Sequence, residues 1–307
     1  MSIRVIFLGS PKFALPSLRS LAESYKVVGV VTQPDRPAGR GREMKSPPVK
    51  ILANELDIPV IQPENIHITS SIDELSEWEA DVIIVAAFGQ ILRKKILELK
   101  RHGCLNVHAS LLPRWRGAAP INAAIYHDDD NTGITIMKMD EGLDTGPILS
   151  QEAIPILETD EAGILSKKLA ELGGELLIKT LPRYISGEIT PTPQNDSKAT
   201  YAPMLKKEDG NLDFTQTAEQ LARKVRAYSP WPGTFMSWQE KFLKVHKTHT
   251  IDSKIRKPGQ TVIQGKLPGV VTADGILILD EVQPAGKKRM TGQTFLNGAR
   301  NWGKLTS

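Results

Sequence analysis

Cysteine is almost absent: Cys104 is the single one in 307 residues. No disulfide can form within the chain, which excludes the small cross-linked secreted folds and fits a reducing compartment. Long apolar runs are missing too. None approaches the ~20 residues that span a bilayer, so no membrane segment is expected. Met1-Ser2-Ile3-Arg4 runs straight into an apolar stretch, with no room for a signal peptide, and the protein is expected in the cytoplasm. No His/Cys cluster has metal-ligand spacing, so no metal is expected. Glycine is short in one telling place. The turn Gly9-Ser10-Pro11-Lys12-Phe13-Ala14 has one glycine where a dinucleotide fingerprint needs three, and Pro11 removes an N–H that would face phosphate. That argues against an NAD(P)- or FAD-dependent oxidoreductase.

What is present is an ordinary globular composition, 40% hydrophobic and 24% charged, long enough for two domains. The charge is divided unevenly. Residues 1–206 carry 23 Lys+Arg against 26 Asp+Glu, and residues 207–307 carry 16 against 9. A basic second part points to a polyanionic partner.

Apolar runs closed by glycine or a turn read as buried strands at 3–9, 27–31, 58–62, 81–86 and 104–108, with alternating strands at 132–139 and 148–154. Helical stripes are expected at 12–23, 49–56, 72–78, 91–99, 118–126 and 161–184, the last strained at Gly173-Gly174. Alternation of strand and helix predicts an α/β domain built on an open, mostly parallel, Rossmann-like sheet. Residues 190–206, opening Thr190-Pro191-Thr192-Pro193, read as a linker. Beyond it a helix at 217–227 and short strands at 234–238, 242–246, 269–272 and 276–282 predict a small β-barrel. The expected domains are thus 1–189 and 207–307.

One stretch asks for a chemical explanation. Asn106 and His108, two apart at the end of a strand, share a face. An amide and an imidazole there can bind and protonate an oxygen, which apolar packing does not require. A working histidine needs its other nitrogen fixed, usually by a carboxylate. The turn Asp140-Glu141-Gly142-Leu143-Asp144 offers three, and the pattern does not choose among them. Cys104 lies close by, but no neighbouring cation would make it a thiolate. Separately, Gln33 to Lys50 is a Pro/Gly-rich loop with Arg36, Arg40, Arg42, Lys45 and Lys50. Loops this long are usually functional or disordered, and this one has the composition to grip phosphates.

Asn106-Val107-His108-Ala109-Ser110-Leu111-Leu112-Pro113-Arg114-Trp115-Arg116-Gly117 resembles the signature of the formyltransferases that use 10-formyltetrahydrofolate, and Gly142-Leu143-Asp144-Thr145-Gly146 resembles their second motif. Within that superfamily the whole chain is similar to the branch acting on methionyl-tRNA, through Thr32 to Gly41, Arg226 to Gly233 and Gln283 to Lys288. Ala109 stands where the family often has glycine. The resemblance implies an OB-like second domain and transfer of a formyl group from 10-formyltetrahydrofolate to the amino group of methionyl initiator tRNA. It selects Asp144 from the three acids, beside Asn106 and His108. It implies a folate wall of Ser110, Leu111, Leu112 and Pro113 with Phe88 and Gly89 at the pterin. It also implies tRNA contacts from Arg36, Arg40, Arg42, Lys45, Lys244, Lys287 and Lys288, in a monomer without metal or membrane partner. Related readings are a formyltransferase with a ribonucleotide or amino-sugar acceptor, a formylfolate hydrolase, and an RNA-binding protein with a dead catalytic domain.

Overall fold

The computed structural model describes residues 3–38, 43–254 and 257–303. Arg40 and Arg42, named above, lie outside the described residues. The chain divides into two compact units. The first comprises Met1–Pro120, Asn131–Pro155 and Ser166–Ala202, and the second comprises Ile121–Asp130, Ile156–Leu165 and Pro203–Ser307.

The first unit opens with β1 (Arg4–Gly9), α1 (Leu15–Ser24) and β2 (Lys26–Val31). Next come β3 (Arg36–Ala38), β4 (Glu43–Lys45), α2 (Pro48–Glu55), β5 (Val60–Ile61), α3 (Thr69–Glu77), β6 (Val82–Ala86), α4 (Lys94–Leu97) and β7 (Cys104–His108). Then follow β8 (Arg116–Gly117), α5 (Pro120–Tyr126), which from Ile121 belongs to the second unit, β9 (Asn131–Lys138), β10 (Ile148–Pro155), α6 (Ala162–Ile185), which belongs to the first unit from Ser166, and β11 (Tyr201–Ala202). Seven strands form one sheet in the order β10-β9-β7-β6-β1-β2-β5. The pairs from β5 to β7 are parallel, whereas β9 runs antiparallel to β7 and β10 antiparallel to β9. β6 is buried along its whole length, as a central strand covered on both faces must be. β10, at the edge, alternates between buried or half-buried and exposed positions. Ile6, Leu8, Ile83 and Val85 meet Ile72, Leu75, Phe88, Leu92 and Ile96 in one core cluster.

Four local features depart from the sequence pattern. The basic loop is not irregular throughout: β3 and β4 pair as a two-stranded ribbon, in which Pro37 lacks a second neighbour to disappoint. Asp35 ties the ribbon's base to Lys50 at 2.8 Å, Gln62 at 2.7 Å and Ser46 at 3.2 Å. The helix expected over 91–99 shrinks to α4, because Leu92 and Ile96 enter the core while Ile91 is 81% exposed, and no continuous stripe forms. α6 runs unbroken through Gly173-Gly174. A Cβ on Gly173 would lie 2.8 Å from Val107 Cγ1, so the glycine there serves close packing against β7. The stretch read as a linker is ordered: Thr192 is bridged to Ile148, and β11 pairs in parallel with β8.

In the second unit α7 (Ala218–Ala227) starts at a capping box, with Thr217 Oγ1 accepting from the Gln220 backbone and the Gln220 side chain accepting in return. β12 (Thr234–Trp238), β13 (Lys241–Ile251), β14 (Thr261–Gln264), β15 (Leu267–Val271), β16 (Ile276–Pro284) and β17 (Met290–Thr291) precede α8 (Gly292–Gly298). The six strands make one antiparallel sheet in the order β12-β13-β16-β15-β14, with β17 on β16. β13 continues five residues past His246 because β16 pairs with it to Ile251, and its two register shifts bend it on the way. Leu221 and Val225 of α7 pack with Leu243, Val270, Leu277, Phe295 and Trp302. Asn122 Nδ2 donates to the Ala227 carbonyl at 2.6 Å and Arg223 pairs with Asp128 at 3.1 Å, which ties 121–130 into this unit. Among the described residues, no helix is long and apolar enough to cross a membrane.

Candidate active site

β7 ends at His108 on the carboxyl side of the parallel strands, where ligands of open α/β sheets bind. Alternation along the strand sends Asn106 and His108 one way and Val107 the other, under α6. His108 is 5% exposed. Its Nε2 lies 3.0 Å from the Trp115 carbonyl, and a carbonyl can only accept, so Nε2 carries a hydrogen. That contact turns Nδ1 toward Asp144, whose Oδ2 is 3.7 Å away, too long for a hydrogen bond and short enough for an ion pair. Asn106 Nδ2 stands 3.4 Å from Asp144 Oδ1. Asp144 Oδ2 also accepts the backbone N–H of Gly117 at 2.8 Å. The amide, the imidazole and one carboxylate therefore converge.

The other two acids of the turn do not join them. Asp140 accepts from the Gly142 backbone at 3.1 Å and the Thr145 hydroxyl at 2.6 Å, which is turn chemistry, and Glu141 is exposed. Cys104 is fully buried with Sγ 3.6 Å from the Ile96 carbonyl, and burial pushes its thiol up to about 12. It packs; it is not a nucleophile at neutral pH.

Below the loop after β7, Thr135 faces His108 across the β7–β9 pairing. Its Oγ1 donates to the Ser110 carbonyl at 2.6 Å and accepts from Leu112 N at 3.1 Å and from Gln151 Nε2 at 2.8 Å. The Ser110 hydroxyl donates to the Arg114 carbonyl at 2.6 Å. Ser110 and Leu112 are buried, and Leu111 and Pro113 are half-exposed. Phe88 is 3% exposed in the core, so that turn offers a ligand its exposed backbone at Ala87 and Gly89. A groove of about 600 Å³ lies at the amino end of β7 beside the acidic turn, lined by Leu97, Glu98, Gly103, Met139, Asp140, Glu141 and Gly142 and by Lys94, Lys100, Arg101 and Lys138.

The sequence matches the model of the formyl transferase family over residues 3–181 and that of the formyl transferase C-terminal domain over 204–300. The chain belongs to the formyl transferase family. It is 46% identical to a methionyl-tRNA formyltransferase of Myxococcus xanthus, over 96% of this chain and 95% of that one. It is 44% identical to a methionyl-tRNA formyltransferase of Pseudoalteromonas translucida, over 98% and 95%. Among solved structures, an N-formyltransferase from Helicobacter canadensis in complex with folinic acid and dTDP-3-aminofucose superimposes with a TM-score of 0.67 at 19% identity, covering 92% of this chain and 99% of that one. At that identity the likeness is one of fold.

In this formyl transferase the basic residues are spread over both units. Arg36 on the ribbon is exposed and paired with Glu64 at 3.3 Å, and Lys45 is exposed. Lys244 on β13 and Lys287 and Lys288 after β16 are exposed. Several partners of the site have no signature in the sequence. The Trp115 carbonyl and the Gly117 N–H are backbone groups, and Gln194 falls in the proline-rich stretch. Gln194 Nε2 donates to the carbonyls of Asp144 and Gly146, each at 2.8 Å.

Proposed function

We propose that the protein transfers the formyl group of 10-formyltetrahydrofolate to the free amino group of methionyl initiator tRNA, with Asn106, His108 and Asp144 as its catalytic residues. The observation that carries this is the convergence of Asn106 Nδ2 and His108 Nδ1 beside the Asp144 carboxylate. The relatives named methionyl-tRNA formyltransferase, matched almost end to end, supply the substrate class.

The donor set fits a formyl oxygen. Asn106 brings an amide N–H held loosely by Asp144, and His108 brings Nδ1 unengaged by a short bond. The formylfolate supplies an electrophilic formyl carbon on a nitrogen leaving group. As the methionyl amine attacks, negative charge builds on the formyl oxygen, and Asn106 and protonated His108 donate to it. Such a preset donor is worth ~2.7–4 kcal/mol. The Trp115 carbonyl keeps His108 from turning away. Asp144, close to Nδ1 and fixed by Gly117, stabilises the charged ring and can relay a proton, through water, from the attacking amine to N10 as the C–N10 bond breaks and tetrahydrofolate leaves. Holding the two substrates together can supply ~7–11 kcal/mol more.

The folate lies at the carboxyl ends of β6 and β7, beside Asn106, His108 and Asp144, and not in the groove at the amino end of β7. Leu111 and Pro113, with Ala87 and Gly89 just past β6, form the folate wall. The basic segment 33–50, through Arg36, Arg40, Arg42 and Lys45, meets the acceptor end of the tRNA. Lys244, Lys287 and Lys288 add sequence-independent phosphate attraction. The protein acts in the cytoplasm as a monomer. Formylation of charged initiator tRNA with the formylfolate present, and none of charged elongator methionyl-tRNA, tests the reading. Equal formylation of both would refute the acceptor, and formyl transfer only to a sugar or ribonucleotide would replace it.

A further inference from the structure

Asp144 has φ +54, a left-handed conformation that a residue with a Cβ holds only when its surroundings impose it. Gln194 imposes it. Its Nε2 donates both hydrogens, to the carbonyls of Asp144 and Gly146, each at 2.8 Å. Its Oε1 accepts twice from Arg116, from Nε at 3.0 Å and from Nη2 at 2.9 Å. Every hydrogen-bonding position of that amide is filled. Arg116 is 1% exposed, and its Nη2 also reaches Asp196 at 2.7 Å. Its own N–H donates to the Thr200 carbonyl at 2.9 Å.

Arg116 also stands between the two backbone groups that hold the site. The carbonyl of Trp115, just before it, receives His108, and the N–H of Gly117, just after it, binds the Asp144 carboxylate. Trp115 has φ +60 and Gly117 φ +112, so this short segment is itself held in an uncommon shape. Arg116 is thus linked to Asp144 in two ways, its guanidinium through Gln194 to the Asp144 backbone and its main chain through the adjoining Gly117 N–H to the carboxylate.

We propose that Gln194 and Arg116 are positioning residues for formyl transfer. Arg116 fixes Gln194, Gln194 fixes the backbone of Asp144, and the carboxylate is thereby set beside Asn106 and His108. This rests on the catalytic reading of Asn106, His108 and Asp144. A purely structural role would need only that Arg116 be neutralised and bonded. Both needs would be met by an acceptor that makes no contact with the Asp144 turn.

Gln194→Glu separates the two roles. A carboxylate keeps both Arg116 contacts and pairs its charge, but cannot donate to the Asp144 and Gly146 carbonyls. Gln194→Met removes both functions in a similar shape. The measurements are kcat and KM for formylfolate and charged initiator tRNA, the pH profile of kcat, and the melting temperature, with kcat taken per folded molecule. The expected result is a tenfold or greater fall in kcat for both variants and KM values within threefold. Gln194→Glu should also show a displaced pH profile and a melting temperature within a few degrees of the wild type. Should Gln194→Met not fold, Gln194→Glu decides alone. A kcat per folded Gln194→Glu molecule within twofold of wild type, with its pH profile unmoved, would overturn the proposal while wild-type activity leaves the catalytic reading standing. A wild-type protein inactive on charged initiator tRNA would instead remove the reading beneath it.

Discussion

The backbone N–H of Gly117 donates to Asp144 Oδ2 at 2.8 Å, at a glycine where a Cβ would stand 2.7 Å from the Ala202 carbonyl oxygen. Its φ of +112 is closed to other residues as well. Gly117→Ala should therefore destabilise the first unit by about 1–3 kcal/mol, read by denaturant unfolding. It should also lower kcat, because the N–H that holds the carboxylate must move. Wild-type stability with wild-type kcat would show that the contact carries neither function.

Asp144, which accepts that N–H, and the Asn106 and His108 side chains beside it should behave as one device. Asn106→Ala and His108→Ala are each expected to lower kcat about 10²–10³-fold, the effect of losing one preset donor to a developing oxyanion. Asp144→Asn keeps a group for Gly117 to bond but removes the charge beside His108, and a loss of similar size is expected. The double variant His108→Ala/Asp144→Asn should be little worse than the poorer single one, since residues acting as a unit are not additive. Binding of charged tRNA, measured by filter retention, should stay unchanged. Fully additive losses would contradict the coupling.

Cys104 is expected to be inert. With its thiol raised to about 12 by burial, the folded chain should resist alkylation at pH 8 and react once unfolded. Because the folded value lies above the unfolded one, near 9, the neutral thiol favours the fold fully below pH 9. That contribution is lost as the pH rises from there toward 12. Cys104→Ala should keep kcat within about twofold, as nothing in the proposed chemistry passes through sulfur. Loss of activity on mild alkylation of the native protein would point to a thiol role.

The ribbon and the folate wall can be tested apart. Asp35 holds the ribbon's base, and its hydrogen bonds from Gln62 and then Lys50 keep its carboxyl below the usual range. The tether is present above the ordinary carboxylate pKa and is lost only as pH falls through the lowered one, so it is complete at neutral pH. Asp35→Asn should raise KM for charged tRNA several-fold with KM for formylfolate unmoved. Leu111→Arg, in the half-exposed folate wall, should do the reverse, and an unchanged KM for formylfolate would place the folate elsewhere.

The parallel core of the first unit was legible because its strands are short, apolar and closed by glycine or turns, and β7 with Asn106 and His108 could be placed at a sheet end. Legibility failed where structure depends on contacts distant in sequence. The β3–β4 ribbon forms despite Pro37 and is tied at its base by Asp35, Lys50 and Gln62. β8 and β11 pair only once the chain has returned from Gly117 to Tyr201, 84 residues later by their numbers. By residue type the turn at Asp140 to Asp144 held three equivalent acids; the family resemblance chose Asp144, the one that Gly117 and Asn106 meet in space. Gln194 is a neutral side chain among prolines. Its importance lies in bonding the carbonyls of Asp144 and Gly146 to a buried arginine, and neither the carbonyls nor the burial can be read from residue type.

The most direct measurement is single-turnover formylation of charged initiator tRNA by the wild type, His108→Ala and Asp144→Asn, at saturating formylfolate. The wild type is expected to transfer the formyl group to the methionyl amine of initiator tRNA and not of elongator tRNA. Each variant should bind both substrates and transfer at least a hundredfold more slowly. Transfer at the wild-type rate by either variant, or no transfer to initiator tRNA by the wild type, would contradict the account.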